Sequence, residues 1–265
     1  MSIITNRINF WESLLGLYCT GLIGILSLLL IAVPQIEQFL ATNPDASETP
    51  VFILALMSLI VPSILLAISV VIGLLLSQKI GLRSYIVEFF SNTIEEVKLK
   101  NDLVLGFWGG IIVALIIKLL ETVFRLYITE LNQLENLTKF DLSKILLGVF
   151  YGGLTEELLL RWGLMTLLAW GLWRLTGGKD TPNSWVMGLA IAISSIVFGL
   201  GHLPALSVQL PLTLPIIFRT VVLNAIGGVI FGWLYWKRSL EVAMIAHASS
   251  HIGLAVLQGL NGKIF

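Results

Sequence analysis

Leu154-Thr155-Glu156-Glu157-Leu158-Leu159-Leu160-Arg161-Trp162-Gly163 sets two adjacent carboxylates and a guanidinium inside a run of membrane-spanning length and apolarity, from Ile145 to Trp173. A charge near the middle of a bilayer costs at least ~2.5–3.5 kcal/mol on insertion scales, so three together read as functional by default. On a helix Glu157 and Arg161 are four apart and share a face, where they can form a structural ion pair. Glu156 lies about 100° round the helix from Glu157, at ~3.6 residues per turn. One carboxylate can thus neutralise the arginine while the other points elsewhere. The competing reading makes Glu156 a second partner of Arg161 or of another buried polar group.

Outward from this stretch the composition agrees. Of 265 residues, 57% are hydrophobic and 12% charged, with a mean hydropathy of +0.93. Soluble domains carry about 25% charged residues, so the chain reads as an all-α polytopic integral membrane protein. Continuous apolar runs exclude the alternating strands of an outer-membrane barrel. Sixteen basic residues balance sixteen acidic ones, and nothing indicates a nucleic-acid partner. The single cysteine, Cys19, cannot form an internal disulfide and is expected to be a small core residue. The first apolar run is too long for a signal-peptide core and is expected to remain as an uncleaved span.

Residues 1–13 are weakly amphipathic and are expected at the membrane interface. Spans are expected over residues 14–33 (stopped by Pro34), 51–76 (kinked at Pro62), 103–124, 145–173, 185–201, 216–236 and 240–260. Between the second and third, residues 79–102 read as an amphipathic helix lying on the membrane, and residues 126–142 as a second amphipathic piece. Either could supply an eighth span, so the expectation is seven to eight transmembrane helices in one bundle, a single domain over residues 1–265. The amino terminus, the 77–102 segment, the 174–181 loop and Lys237-Arg238 hold nine Lys/Arg, the alternate loops four. That asymmetry predicts a cytoplasmic amino terminus; the membrane itself is expected to be the cytoplasmic membrane of a bacterium. Trp162, Trp170, Trp173, Trp185, Trp233 and Trp236 are expected mostly at interfaces, and Arg219 and Asn224 as packing or snorkelling residues.

All three histidines of the chain sit in or at the end of a predicted span. Phe198 and His202 are four apart, as are His247 and His251, so each pair shares a helix face. If the spans carrying them pack together, Glu156, His202, His247 and His251 line one intramembrane polar cavity. Simple rise gives a mismatch in depth. At ~1.5 Å per residue Glu156 lies ~24 Å from Trp173 and His202 ~27 Å from Ser184, but His247 only ~13 Å from Arg238.

Glu156-Glu157-xxx-Arg161, Phe198-xxx-His202 and His247-xxx-His251 resemble, in order and spacing, the three motifs of the CPBP family. These are intramembrane proteases related to the CAAX prenyl protease Rce1 and to bacterial bacteriocin-processing and self-immunity (Abi) proteins. The run from Gly228 through Phe231-Gly232 and Tyr235 to Ser239-Leu240-Glu241 and Ala243 resembles the family's last helix junction. The resemblance covers about residues 144–260 and implies a glutamate-dependent endopeptidase without a metal cofactor. It implies that Glu156 activates water with the help of His202, that Glu157 and Arg161 are the structural pair, and that His247 donates to the oxyanion. The implied partners are the lipid bilayer and a hydrophobic or lipidated peptide or protein substrate.

The chain departs from the family at the last position of the third motif, where His251 replaces the usual Asn or Asp. A neutral imidazole retains one donor, so it could still serve an oxyanion. The departure also sustains two alternatives. One is a non-proteolytic membrane immunity or scaffold protein retaining the fold. The other is a zinc peptidase using Glu156, His202, His247 and His251 as ligands, ranked below the metal-free reading.

Overall fold

The computed structural model describes residues 9–131, 141–179 and 181–261. The described residues form helices and no strand. Helix α1 is Phe10–Thr42 and α2 is Val51–Ile80. A short α3, Tyr85–Phe90, precedes α4, Glu96–Tyr127. Helix α5 is a continuous column over 142–175; α6 is Ser184–Ser207. Helices α7, Leu214–Lys237, and α8, Leu240–Asn261, complete the order. Six of these, α1, α2, α4, α6, α7 and α8, are long and apolar enough to cross a membrane. The chain is a multi-pass, all-α integral membrane protein.

Several boundaries differ from expectation. Pro34 does not stop α1, which runs on to Thr42 with the proline inside it. Within a membrane-spanning helix the neighbouring backbone groups have no better partner than one another, so a single lost bond is tolerated. In α2 the helix breaks after Ser58, four residues before Pro62, where the proline ring would meet the Ser58 carbonyl. Residues 79–102 are not one surface helix. Gly81 (φ 74°) and Asn92 (φ 54°), both in the left-handed region, bracket α3. Residues 96–102 instead form the first turns of α4. Of the second amphipathic piece, residues 132–140 lie outside the described residues, as do residues 1–8 of the first.

Helix α5 sits at the centre, in contact with α1, α2, α6, α7 and α8. Thr155 Oγ1 donates to the Gly21 carbonyl of α1 at 2.7 Å, and Trp162 Nε1 donates to the Val70 carbonyl of α2 at 3.2 Å. Trp162 is therefore a core residue, 1% exposed, rather than an interface marker. Its indole needs one acceptor, and Val70 supplies it. On the outside, Ile53, Met57, Ile60, Ile64 and Ile68 are exposed at helical spacing along α2, an apolar stripe suited to lipid. Cys19 is exposed too, because the buried stripe of α1 runs through Leu17, Gly21 and Gly24 on the other side.

Two polar networks fasten the helices. Around α3, the Glu241 carboxylate accepts from Ser84 Oγ (2.6 Å), the Tyr85 amide (2.8 Å) and the Ile86 amide (3.0 Å). Tyr85 donates its hydroxyl to Asp102 at 2.6 Å. Burial, aided by that acceptor, pushes the Tyr85 phenol above its ordinary range. The Leu240 amide donates to the Arg83 carbonyl at 3.1 Å. The second network joins α7 to α4. Arg219 Nη2 meets Glu121 Oε2 at 2.5 Å, while Arg125 Nε takes the other oxygen at 3.1 Å. Arg219 thus does not snorkel; a carboxylate at matching height on α4 holds it. Asn224 satisfies itself on the Thr220 carbonyl at 2.8 Å.

Candidate active site

The Glu-Glu-Arg stretch is helical as expected, but its winding is not α. Gly148–Glu156 and Leu158–Met165 wind as π-helix, a form that bonds i→i+5 and occurs chiefly at functional sites. A wider turn rises less per residue, which brings Glu156 and Glu157 nearer to the Trp173 end than α-helical rise gives. At the other side, Ser239 and Leu240 at the start of α8 are fully buried, with the Leu240 amide on the Arg83 carbonyl just ahead of α3. Whatever depth simple rise gives, the structure brings Glu156 Oε2 of α5 to 3.9 Å from His247 Nε2 of α8.

Glu157 and Arg161 pair at 3.2 Å with side chains 0% and 1% exposed. Arg161 Nη2 also donates to the Gly228 carbonyl of α7 at 3.2 Å. Its guanidinium lies over the Phe198 ring at 4.8 Å and near the Phe231 ring at 5.7 Å. A buried cation is tolerated where a carboxylate, a carbonyl and aromatic faces surround it.

The second oxygen of Glu157 meets His247: Nδ1 and Oε1 are 2.8 Å apart. Glu157 is therefore shared between Arg161 on its own helix and His247 on α8. Glu156 points towards the same imidazole from the other side, with Oε2 3.9 Å from His247 Nε2. That gap exceeds a hydrogen bond and suits a water reaching both groups. The Glu156 side chain is 18% exposed where Glu157 is sealed.

His247 is clamped by rings. Phe231 stacks on it with centroids 4.6 Å apart and planes 19° apart, and Phe198 meets it edge-on at 5.5 Å. Phe198 meets His202 in the same manner at 4.8 Å, so its ring contacts both histidines. His202, where α6 bends, donates Nδ1–H to the Phe198 carbonyl at 2.8 Å. With Nδ1–H so engaged, its neutral ring leaves Nε2 as a base. His251 lies one turn along α8, stacked with His247 at 5.1 Å, with the two Nε2 atoms 3.3 Å apart.

Glycines of α5 make room for this pair. A Cβ on Gly148 would strike the His251 ring, and one on Gly152 would lie 3.0 Å from His251 Nε2 and 3.3 Å from His247 Nε2. The spacing of these glycines, four apart and just ahead of the acidic pair, is a signal that sequence reasoning did not use. Nor did it give Phe231 a place beside the imidazole. Among the described residues no group of three or more His, Cys, Asp or Glu side chains is arranged to hold a metal ion.

Residues 138–252 match the family model described as type II CAAX prenyl endopeptidase Rce1-like. The resemblance read from the three motifs is borne out over that segment, which contains all of the polar cluster. No curated protein and no solved structure matches the chain.

Proposed function

We propose, starting from this match to a family of endopeptidases, that the protein is an intramembrane endopeptidase. It hydrolyses a peptide bond of a membrane-associated substrate with Glu156 and His202 as the water-activating pair. The observation that carries the reading is the difference between two neighbouring glutamates. Glu157 is sealed and spent on Arg161 and His247, whereas Glu156 is partly open and 3.9 Å from His247. A general base must reach the proton it takes directly or through one water. Glu156 and the Nε2 of His202 are the groups left free to do so. The apolar helices around the site suit a hydrophobic peptide or a lipidated chain end, and the family's description makes a prenylated carboxyl-terminal peptide the first substrate to try.

The decisive experiment is cleavage of a labelled prenylated peptide and of membrane-peptide libraries by the full chain in nanodiscs. Glu156→Ala and His202→Ala should each lower the rate by about 10²–10⁴-fold, the usual worth of a positioned acid or base. Chelator should leave the wild-type rate unchanged. Cleavage that survives both substitutions overturns the assignment.

One observation favours a second reading, a non-proteolytic relative that keeps the fold to bind a partner. His251 stands where the family has an amide or a carboxyl, and its Nε2 faces His247 rather than open space. A wild type without activity, with activity gained in His251→Asn, would establish that reading.

A further inference from the structure

The contacts of His247 determine where its protons sit. Arg161 is permanently charged and lies 3.2 Å from Glu157 Oε2 inside the bundle, which keeps Glu157 a carboxylate. A carboxylate can only accept, so in the 2.8 Å contact the proton is on His247 Nδ1. When the ring is neutral it carries one proton, and Nε2 of His247 is then bare. The 3.3 Å contact between the two Nε2 atoms needs one proton between them. It must come from His251, whose Nδ1 is then the bare nitrogen, turned to the space that Gly148 leaves open.

We infer that Glu157 and His251 are positioning residues that set His247 as a proton acceptor at Nε2, so that the ring carries a proton instead of serving as a ready oxyanion donor. Glu157 fixes the tautomer from one side, and His251 donates into the lone pair from the other. Phe231 and Phe198 hold the ring so that neither contact is lost by rotation. The chemical consequence rests on the peptidase reading; the proton positions do not.

In that chemistry Glu156 and the His202 Nε2 accept hydrogen bonds from the attacking water; its oxygen bonds to the carbonyl carbon, and the proton that Glu156 takes passes on to His247 Nε2. The imidazolium so formed keeps Glu157 opposite its charge. The C–N bond breaks as Nε2 returns the proton to the leaving nitrogen, yielding one acid and one amine. His251 must turn its donor away as Nε2 is protonated, because two N–H groups cannot share the contact. Only then can His251 reach a developing oxyanion, a task that an amide at this position performs without turning.

The test is nitrogen NMR of full-length protein with ¹⁵N-histidine in nanodiscs, at about pH 8, above the ordinary imidazole range of ~6.5. Removing the histidines one at a time assigns the three rings. His247 should show a protonated Nδ1 and a bare, hydrogen-bonded Nε2. Glu157→Gln should mix the two tautomers, because a carboxamide can accept from or donate to Nδ1. His251→Phe should shift the Nε2 signal without moving the proton. A wild-type ring protonated at Nε2 overturns the inference, and so does a proton that moves to Nε2 in His251→Phe. Should Glu157→Gln fail to fold, wild type and His251→Phe still decide. If the spectrum is as expected while no peptide is cleaved, the peptidase reading fails and this one stands. Cleavage by a protein whose His247 is protonated at Nε2 has the opposite meaning.

Discussion

At the scale of single residues, Arg161 carries the largest energetic consequence. It is buried with Glu157, the Gly228 carbonyl and two aromatic faces. Arg161→Ala strands the Glu157 charge and should cost about 3–5 kcal/mol, measured by thermal unfolding in detergent. Arg161→Lys should recover little of it, since an ammonium lacks the planar fork that reaches a carboxylate and lies flat on rings. The pair was legible in the sequence because four-residue spacing on a helix is a local property. The tie from Glu157 to His247 was not, since it depends on which helices pack and how deep α8 begins. For the same reason the motifs named the histidines but could not say that Glu156 meets His247 at Nε2 rather than Nδ1. Cys19 and Trp162 were placed the wrong way round: the cysteine faces outward and the tryptophan is in the core. Neither residue type fixes its own side of a helix that is apolar all round.

At the scale of elements, the winding of α5 and the closeness of α8 depend on each other. Gly152→Ala would set a methyl against both imidazoles, at 3.0 and 3.3 Å, and overpacking of this kind costs about 1–3 kcal/mol. It should lower both unfolding temperature and cleavage rate. Gly171→Ala on the same helix meets nothing within 4 Å and should change neither, apart from a small gain in helix propensity. Composition alone located a helix from Ile145 to Trp173, and the structure winds one over 142–175. The π-winding left no trace in the hydrophobic pattern, because a stretch greasy on every side shows no period from which residues per turn could be read. Surface helices were harder still. The 79–102 segment has the amphipathic content of one helix, but Gly81 and Asn92 turn it twice, and its last residues join the third span.

At the scale of the whole molecule, the half without motifs is what positions the half that has them. The Gly21 and Val70 carbonyls of α1 and α2 take hydrogen bonds from Thr155 and Trp162 of α5. Glu241, at the start of α8, accepts three hydrogen bonds from the segment that opens α3. Glu241→Ala should therefore loosen α8 at its root. The expected loss is about 1–3 kcal/mol for each buried donor left without a partner, seen as a lower unfolding temperature and faster amide exchange over residues 84–86. None of this was legible beforehand, because contacts between distant halves follow from topology and not from spacing. The outward face of α1 has a practical use of a different kind. The chain has one thiol, and it is exposed about a third of the way along the first membrane helix, flanked by buried Leu17 and Gly21. A fluorophore or spin label attached to Cys19 would report on the surrounding acyl chains from the native polypeptide, with no engineered cysteine-free background.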